Sequence, residues 1–300
     1  MGRNKYEVVM FTRTGALAVC VHELQDRNEE RIYAFAVKRR VMRYFEVGTW
    51  KSAVTITDER SQYAIDEFIC WSKTEGVNDD TFNNRQKARQ FLIDKRLREE
   101  IKNKQDIIEA LKQHNIYSLW HITHKNNVEQ ILRYGILNHY NAHGSNVNSV
   151  DISDPEAQKW REDIDPHYKR KIHDYAPLYI KPRNPMLYKR HNIQCDLCLL
   201  EISLSVLMEN ECLITDGNAA SRITKFFKSA NHINNLPWDV LNSAYWPDHE
   251  DGKRKMCAEV LIYPEVSKKF IERIHCCSMN TKNYLATFGC VAALSRNLFF

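Results

Sequence analysis

The chain has 300 residues, 43% of them hydrophobic and 27% charged, with a formal net charge of +5. That is enough for one large domain or two modest ones, while a mean hydropathy of −0.54 and the lack of any apolar run near about eighteen residues argue against a membrane span. The opening Met1-Gly2-Arg3-Asn4-Lys5-Tyr6 leads into no apolar signal core, so a cytoplasmic protein is expected.

In chain order, Tyr6–Phe11, Ala16–Val21, Ile32–Val37 and Ser52–Thr57 read as short strands, the last from its alternation of Val54 and Ile56 with Thr55 and Thr57. Ser61 is placed to cap a helix through about Ser72. A long helical stretch follows, from Arg85 to His114, with Ile101, Ile107, Ile108 and Leu111 as buried candidates; its charges suit a solvated connector.

The pattern changes at Ile116. Tyr117–Thr123 reads as a strand, and Asn126 with Glu129 resembles a capping box before a helix that Gly135 ends. Ala142–Ser153 reads as loop, Pro155–Arg161 as a short helix, and Asp174–Ile180, Leu197–Ser203 and Met256–Tyr263 as strands. Ser267–Ile274 is expected to be a helix and Val291–Phe300 mixed. No internal repeat is visible.

Nine cysteines without a secretory signal suit a reducing compartment. Cys195-Asp196-Leu197-Cys198 has no second pair at matching spacing, so it reads as part of a buried strand, and no metal is expected. The mild basicity permits a phosphate-bearing partner without requiring one. Lys38-Arg39-Arg40-Val41-Met42-Arg43, near Tyr44, Phe45 and Trp50, is either a nucleic-acid contact or a plain exposed strand end.

Two polar residues stand where a core would not want them: His121 within Leu119-Trp120-His121-Ile122-Thr123, and Glu259 within Met256–Ile262. Alternation by itself would turn Glu259 to water, and His121 alone would be a satisfied core or edge histidine. Asp174–Tyr188 is more distinctive, because Pro177, Pro182 and Pro185 space out tyrosines, an arginine and a methionine. Prolines hold such side chains at fixed offsets, as in a rigid loop or a preformed ligand wall.

Five stretches in order resemble the DarT family, toxins that transfer ADP-ribose from NAD to bases of single-stranded DNA. They are Tyr117–His124 followed by Asn127, Ile131, Leu132 and Gly135; Asp174–Tyr188; Leu213-Ile214-Thr215-Asp216-Gly217-Asn218-Ala219-Ala220; Tyr245-Trp246-Pro247-Asp248 with Arg254 and Ala258–Ile262; and the aromatic C-terminal pair. The resemblance covers about 116–300. It implies an α+β, ADP-ribosyltransferase-like split two-sheet core with surrounding helices. Residues 1–80 would form a small α+β domain of unknown role, and 81–115 a helical connector.

The resemblance also implies roles. Glu259 and Arg161 would be catalytic, the latter through the loosely aligned Gln158-Lys159-Trp160-Arg161. His121, Thr123 and Asn127 would hold NAD, and Tyr175, Tyr179, Arg183, Met186 and Tyr188 would shape its cleft. Asn218 departs from the family, which has histidine there, and is expected to meet a DNA base. By their charge alone, Lys169 and Arg170 read either as contacts to DNA phosphates or as a solvated turn. Trp120, Tyr175 and Trp160 are candidate platforms for an unstacked base. The implied function is ADP-ribosylation of thymine, or alternatively guanine, in single-stranded DNA, as a toxin with a macrodomain antitoxin. An RNA or protein acceptor, or a silent nucleic-acid-binding module, is the alternative.

Overall fold

The computed structural model describes residues 97–144 and 150–300 in full. Of the preceding region it describes the backbone of five strands and of a helix that begins at Phe82. The chain divides into two compact units, Met1–Glu100 and Ile101–Phe300.

The first unit holds an antiparallel meander of β1 (Asn4–Phe11), β2 (Leu17–Leu24), β3 (Arg31–Ala36), β4 (Val41–Glu46) and β5 (Thr49–Thr55). β4 was not expected: it starts inside the basic stretch and pairs along its length with β3. The helix expected at Ser61–Ser72 lies outside the described residues.

Helix α1 (Phe82–Gln113) follows. Its last turns are not a solvated connector, because Ile107 and Leu111, one turn apart, are 1% and 0% exposed in the core of the second unit. Upstream on the helix, Ile101 remains exposed.

The second unit is built on one mixed sheet. Its strands are β6 (Ser118–His124), β7 (Ala176–Tyr179), β8 (Leu197–Ser203), β9 (Glu211–Thr215), β10 (Phe226–Phe227), β11 (Glu259–Tyr263), β12 (Ile271–Cys276) and β13 (Ala292–Leu294). Their spatial order is β10-β9-β11-β7-β6-β8-β12-β13. β6 pairs with β8 from Ser118 to His124, yet with β7 only through Trp120 and Tyr179. The expected split is therefore a seam: two half-sheets joined by one residue pair.

β8 lies at the centre of its half. Leu197 and Leu199 enter one apolar cluster, and Cys198, Leu200 and Ile202 the other. A strand covered on both faces reads as a continuous apolar run rather than an alternation. Each fully buried leucine there contributes about 1.5–3 kcal/mol.

The segment expected to be a helix at Ser267–Ile274 is instead a single 3-10 turn, Lys268–Phe270, and then β12. Pairing with β8 and β13 overrides the local preference.

Short helices surround the cleft. α2 (Val128–Tyr134) ends at Gly135, whose φ is +91°. A Cβ there would lie 2.4 Å from the Val266 carbonyl oxygen, so glycine is required twice over. α3 (His139–Gly144) occupies part of the expected loop. α4 (Pro155–Trp160) and α5 (Pro185–Lys189) share one design: the Asp154 and Asn184 side chains cap them and proline opens each.

Candidate active site

A cleft of about 500 Å³ opens along the seam between the half-sheets. β6 contributes His121 and Thr123. The segment after α4 contributes Arg161, β7 contributes Tyr179, and the turn after β9 contributes Asn218.

A buried ion pair beside it joins β11 to the end of α4. Arg161 Nη2 donates to Glu259 Oε2 at 2.5 Å. The other carboxylate oxygen accepts the Ala219 backbone N–H at 3.0 Å. Glu259 is 1% exposed and not solvent-facing as alternation suggests. Its position is fixed through the main chain as well: its N–H donates to Thr215 Oγ1 at 2.9 Å. The Thr215 hydroxyl in turn donates to the Gly217 carbonyl at 2.7 Å.

Burial pulls the Arg161 pKa down more than any single neighbour raises it, but the charge and hydrogen bond of Glu259 together with Tyr179 and Cys257 outweigh it and the net shift is upward. The guanidinium therefore stays charged and is unsuited to proton abstraction. Burial also lifts the Tyr179 phenol well above its ordinary value, so its hydroxyl remains neutral beside the pair.

The turn carrying Ala219 is itself clamped. Arg254, on α6 (Gly252–Lys255), donates through Nη1 to Asp216 at 2.8 Å and to Thr224 at 3.0 Å, and through Nε to Asp251 at 2.5 Å. Its carbonyl accepts the Asn218 N–H. A Cβ on Gly217 would lie 2.3 Å from Arg254 Nη1 and 2.9 Å from the Arg254 carbonyl. Only glycine lets the turn approach so closely.

On β6, His121 Nδ1 donates to the Pro177 carbonyl at 3.1 Å, and burial lowers its pKa. Asn127 is 3% exposed. Its Nδ2 donates to Thr123 Oγ1 at 3.2 Å and to the Val150 carbonyl at 2.7 Å, and its Oδ1 accepts the Val150 N–H at 3.1 Å. That carboxamide reproduces a strand rung and pins the lip of the cleft.

The other expected residues divide. Tyr175 and Met186 line the cleft. Tyr175 is 1% exposed and donates its hydroxyl to Asp165 at 2.9 Å, so it is a wall and not a free stacking platform. Asn218 lines the cleft, but its Oδ1 accepts the Ala220 N–H at 2.9 Å and shapes the turn. Arg183 and Tyr188 do not line it. They pack on the C-terminal Phe300, with the Arg183 guanidinium 4.6 Å from the ring and Tyr188 meeting it edge-on.

Lys169 and Arg170 are also elsewhere. Lys169 sits in a left-handed turn that Asp165 organises through the N–H groups of His167, Tyr168 and Arg170. Arg170 pairs with Glu211 at 2.5 Å and lies 3.7 Å over the Tyr263 ring. Trp120 packs in the apolar cluster under β6 and tilts against His275. Among the described residues no three His, Cys, Asp or Glu side chains converge as a metal site.

Sequence reasoning missed three groups. Thr215 was inside a quoted motif but carried no expected role. Arg254 was matched but unassigned. His139 and His143 of α3, with His173, form a stacked wall; the His139 and His173 rings are 4.0 Å apart. Burial lowers the pKa of both, and the neighbouring imidazoles lower His139 further. No periodicity singles out residues that meet only in the fold.

The family model described as ssDNA thymidine ADP-ribosyltransferase, DarT, matches residues 120–291. The chain belongs to the DarT family. It is 33% identical over 163 residues to a DNA ADP-ribosyl transferase–DNA ADP-ribosyl glycohydrolase fusion protein of Thermosipho africanus, across 52% of this chain and 42% of that one. It is 30% identical over 165 residues to a DNA ADP-ribosyl transferase of Thermus aquaticus, across 52% and 73%. The chain thus spans less than half the length of the fusion protein it matches.

Among solved DarT structures, the Thermus sp. 2.9 protein in complex with ADP-ribosylated ssDNA superposes with a TM-score of 0.56 at 23% identity. That match covers 62% of this chain and 97% of that one, and it bears on the fold alone. The Thermosipho africanus DarTG structure in complex with ADP-ribose gives 0.55 at 27% identity, covering 61% and 51%. The DarT match ends before Ala292 and begins at Trp120, so the meander of β1–β5 lies outside it.

Proposed function

We propose that this chain transfers ADP-ribose from NAD to a nucleobase of single-stranded DNA, with thymine as the favoured base. The observation that carries the reading is the buried Arg161–Glu259 pair beside the cleft, its carboxylate braced by the Ala219 N–H. NAD supplies the ADP-ribosyl group and nicotinamide as leaving group.

The residues present suit that chemistry. Glu259 provides fixed negative charge where positive charge develops on a ribose ring. Its two oxygens are already oriented, so little reorganisation is needed. Arg161 remains cationic and acts by stabilising charge and holding the carboxylate. His121, neutral and anchored by Pro177, positions the nicotinamide end, with Thr123 and Asn127 behind it. Tyr175, Tyr179 and Met186 form the wall.

In this reading residues 116–300 are the transferase, 81–115 join it to a separate small domain of residues 1–80, and the last turns of α1 pack in the transferase core. The relationship to a transferase–glycohydrolase fusion supports a macrodomain-type antitoxin as partner and a toxin role; a part in phage defence and a cytoplasmic location belong to the same proposal. Among the described residues no helix is long and apolar enough to cross a membrane.

The test is label transfer from NAD tagged on adenine, offered single-stranded DNA, duplex DNA, RNA and protein lysate in parallel. Label on single-stranded DNA that vanishes with Glu259→Ala is the expected result. Label on RNA or protein would overturn the substrate, and no label from folded protein would favour a silent binding module.

A further inference from the structure

We propose that Trp160 and Arg222 form a clamp that receives the acceptor base of single-stranded DNA beside Arg161 and Glu259. The inference deepens the transferase reading and rests on it.

Trp160 ends α4 and is 40% exposed, an unusual state for so large an apolar ring. The next residue, Arg161, turns inward to Glu259. Arg222 belongs to the turn whose Ala219 braces the same carboxylate. Its guanidinium carbon lies 4.2 Å from the Trp160 ring. Each half of the pair is thus anchored, within three residues, to a contact of Glu259.

Among the described residues, the Trp160 ring is the whole of Arg222's company: no hydrogen bond and no carboxylate holds its guanidinium. The contrast with Arg170 and Arg254 is sharp, because both are satisfied by carboxylates. The residues on either side of Arg222, Ser221 and Ile223, line the cleft, and Ile223 is 67% exposed. The pair therefore borders the entrance, on the side of the catalytic carboxylate.

An exposed indole–guanidinium stack is weak and readily opened. Both of its faces are surfaces on which an unstacked base packs, and the exposed cation complements a nucleic-acid backbone. Single-stranded DNA supplies such a base at low unstacking cost. Lys253, which also lines the cleft, adds positive charge nearby. A base held between ring and guanidinium lies next to the groups that act on the donor.

The experiment varies the concentration of a mixed-sequence single-stranded oligonucleotide in label transfer from NAD. It compares the full-length protein with Trp160→Ala, Trp160→Phe and Arg222→Ala, and measures NAD affinity by calorimetry on each. The alanine variants are expected to raise the KM for oligonucleotide by roughly 10- to 100-fold, with NAD affinity unchanged. Phe at 160 keeps a stacking face and recovers most of the loss. An unchanged oligonucleotide KM, or a matching loss of NAD affinity, overturns the clamp. Wild-type protein that labels RNA or protein instead of DNA overturns the DNA base as its occupant. Wild-type protein that labels nothing overturns the transferase reading and the clamp with it.

Discussion

Arg161 and Glu259 meet at 2.5 Å with side chains 10% and 1% exposed, so each charge is the other's main replacement for water. Such a pair is costly to break from one side, because the surviving charge stays buried without a partner. Arg161→Ala is expected to lower unfolding free energy by about 3–5 kcal/mol, read as a shift of the urea midpoint. Arg161→Lys, which keeps the charge but not the planar fork, is expected to retain most of the stability and lose transfer.

The cleft histidines make stability depend on pH. Burial lowers the pKa of His121, His139 and His173 below the ordinary 6.5. The unfolded chain then takes up protons that the folded one resists, so stability is full above about 6.5 and falls as pH drops through the folded values. Asp151 and Glu162 oppose this shift at His139, while His173 and His143 reinforce it; at His173, Glu162 opposes it and Arg161 and Lys171 reinforce it. Glu162 itself is held down at about 2 by Lys171, His173 and Tyr140, and stays ionised throughout. The melting temperature is expected to fall between about pH 7 and about pH 5, and His139→Gln to flatten that slope.

Gly217→Ala tests the turn that carries Ala219. The added methyl collides with the Arg254 side chain and carbonyl, and the carbonyl cannot move without shifting α6. The displaced Ala219 N–H no longer braces Glu259. A misplacement of this kind, on the order of 1 Å, costs up to about 100-fold in rate. Steady-state kinetics should show this loss in kcat with a smaller change in the KM for NAD.

Asn127→Ala removes three hydrogen bonds at the cleft lip and strands both backbone groups of Val150. The expected cost is about 1–3 kcal/mol, divided between stability and NAD binding. Hydrogen exchange at the Val150 amide should rise, and the KM for NAD should increase.

Legibility varied with the range of the interactions. β8 was legible residue for residue, because Leu-Cys-Leu-Leu is a run that only a doubly covered strand needs. The Ser267–Ile274 error came from the same cause reversed: Ile271–Cys276 has no strand signature until β8 and β13 are beside it. Glu259 was conspicuous by type, but local alternation pointed it outward; Thr215, Ala219 and Arg161, all distant in sequence, turn it in. The motif order brought His121, Thr123, Asn127, Tyr175, Tyr179, Met186 and Asn218 to one cleft. It did not anticipate the packing of Arg183 and Tyr188 on Phe300 or the Arg170–Glu211 pair, long-range contacts that no spacing rule connects. Arg222 had no local mark at all.

The seam between β6 and β7 dictates what His121 can recognise. A fully zipped pair of strands would take up the Pro177 carbonyl in a main-chain rung; here an imidazole N–H takes it up instead. A carbonyl only accepts, so the proton must reside on Nδ1, and the lowered pKa leaves the ring uncharged. Its remaining nitrogen is then a bare lone pair. That end of the cleft favours a molecule offering an amide or hydroxyl hydrogen over one offering a carbonyl or phosphate oxygen, a chemical preference written by a gap in the backbone ladder.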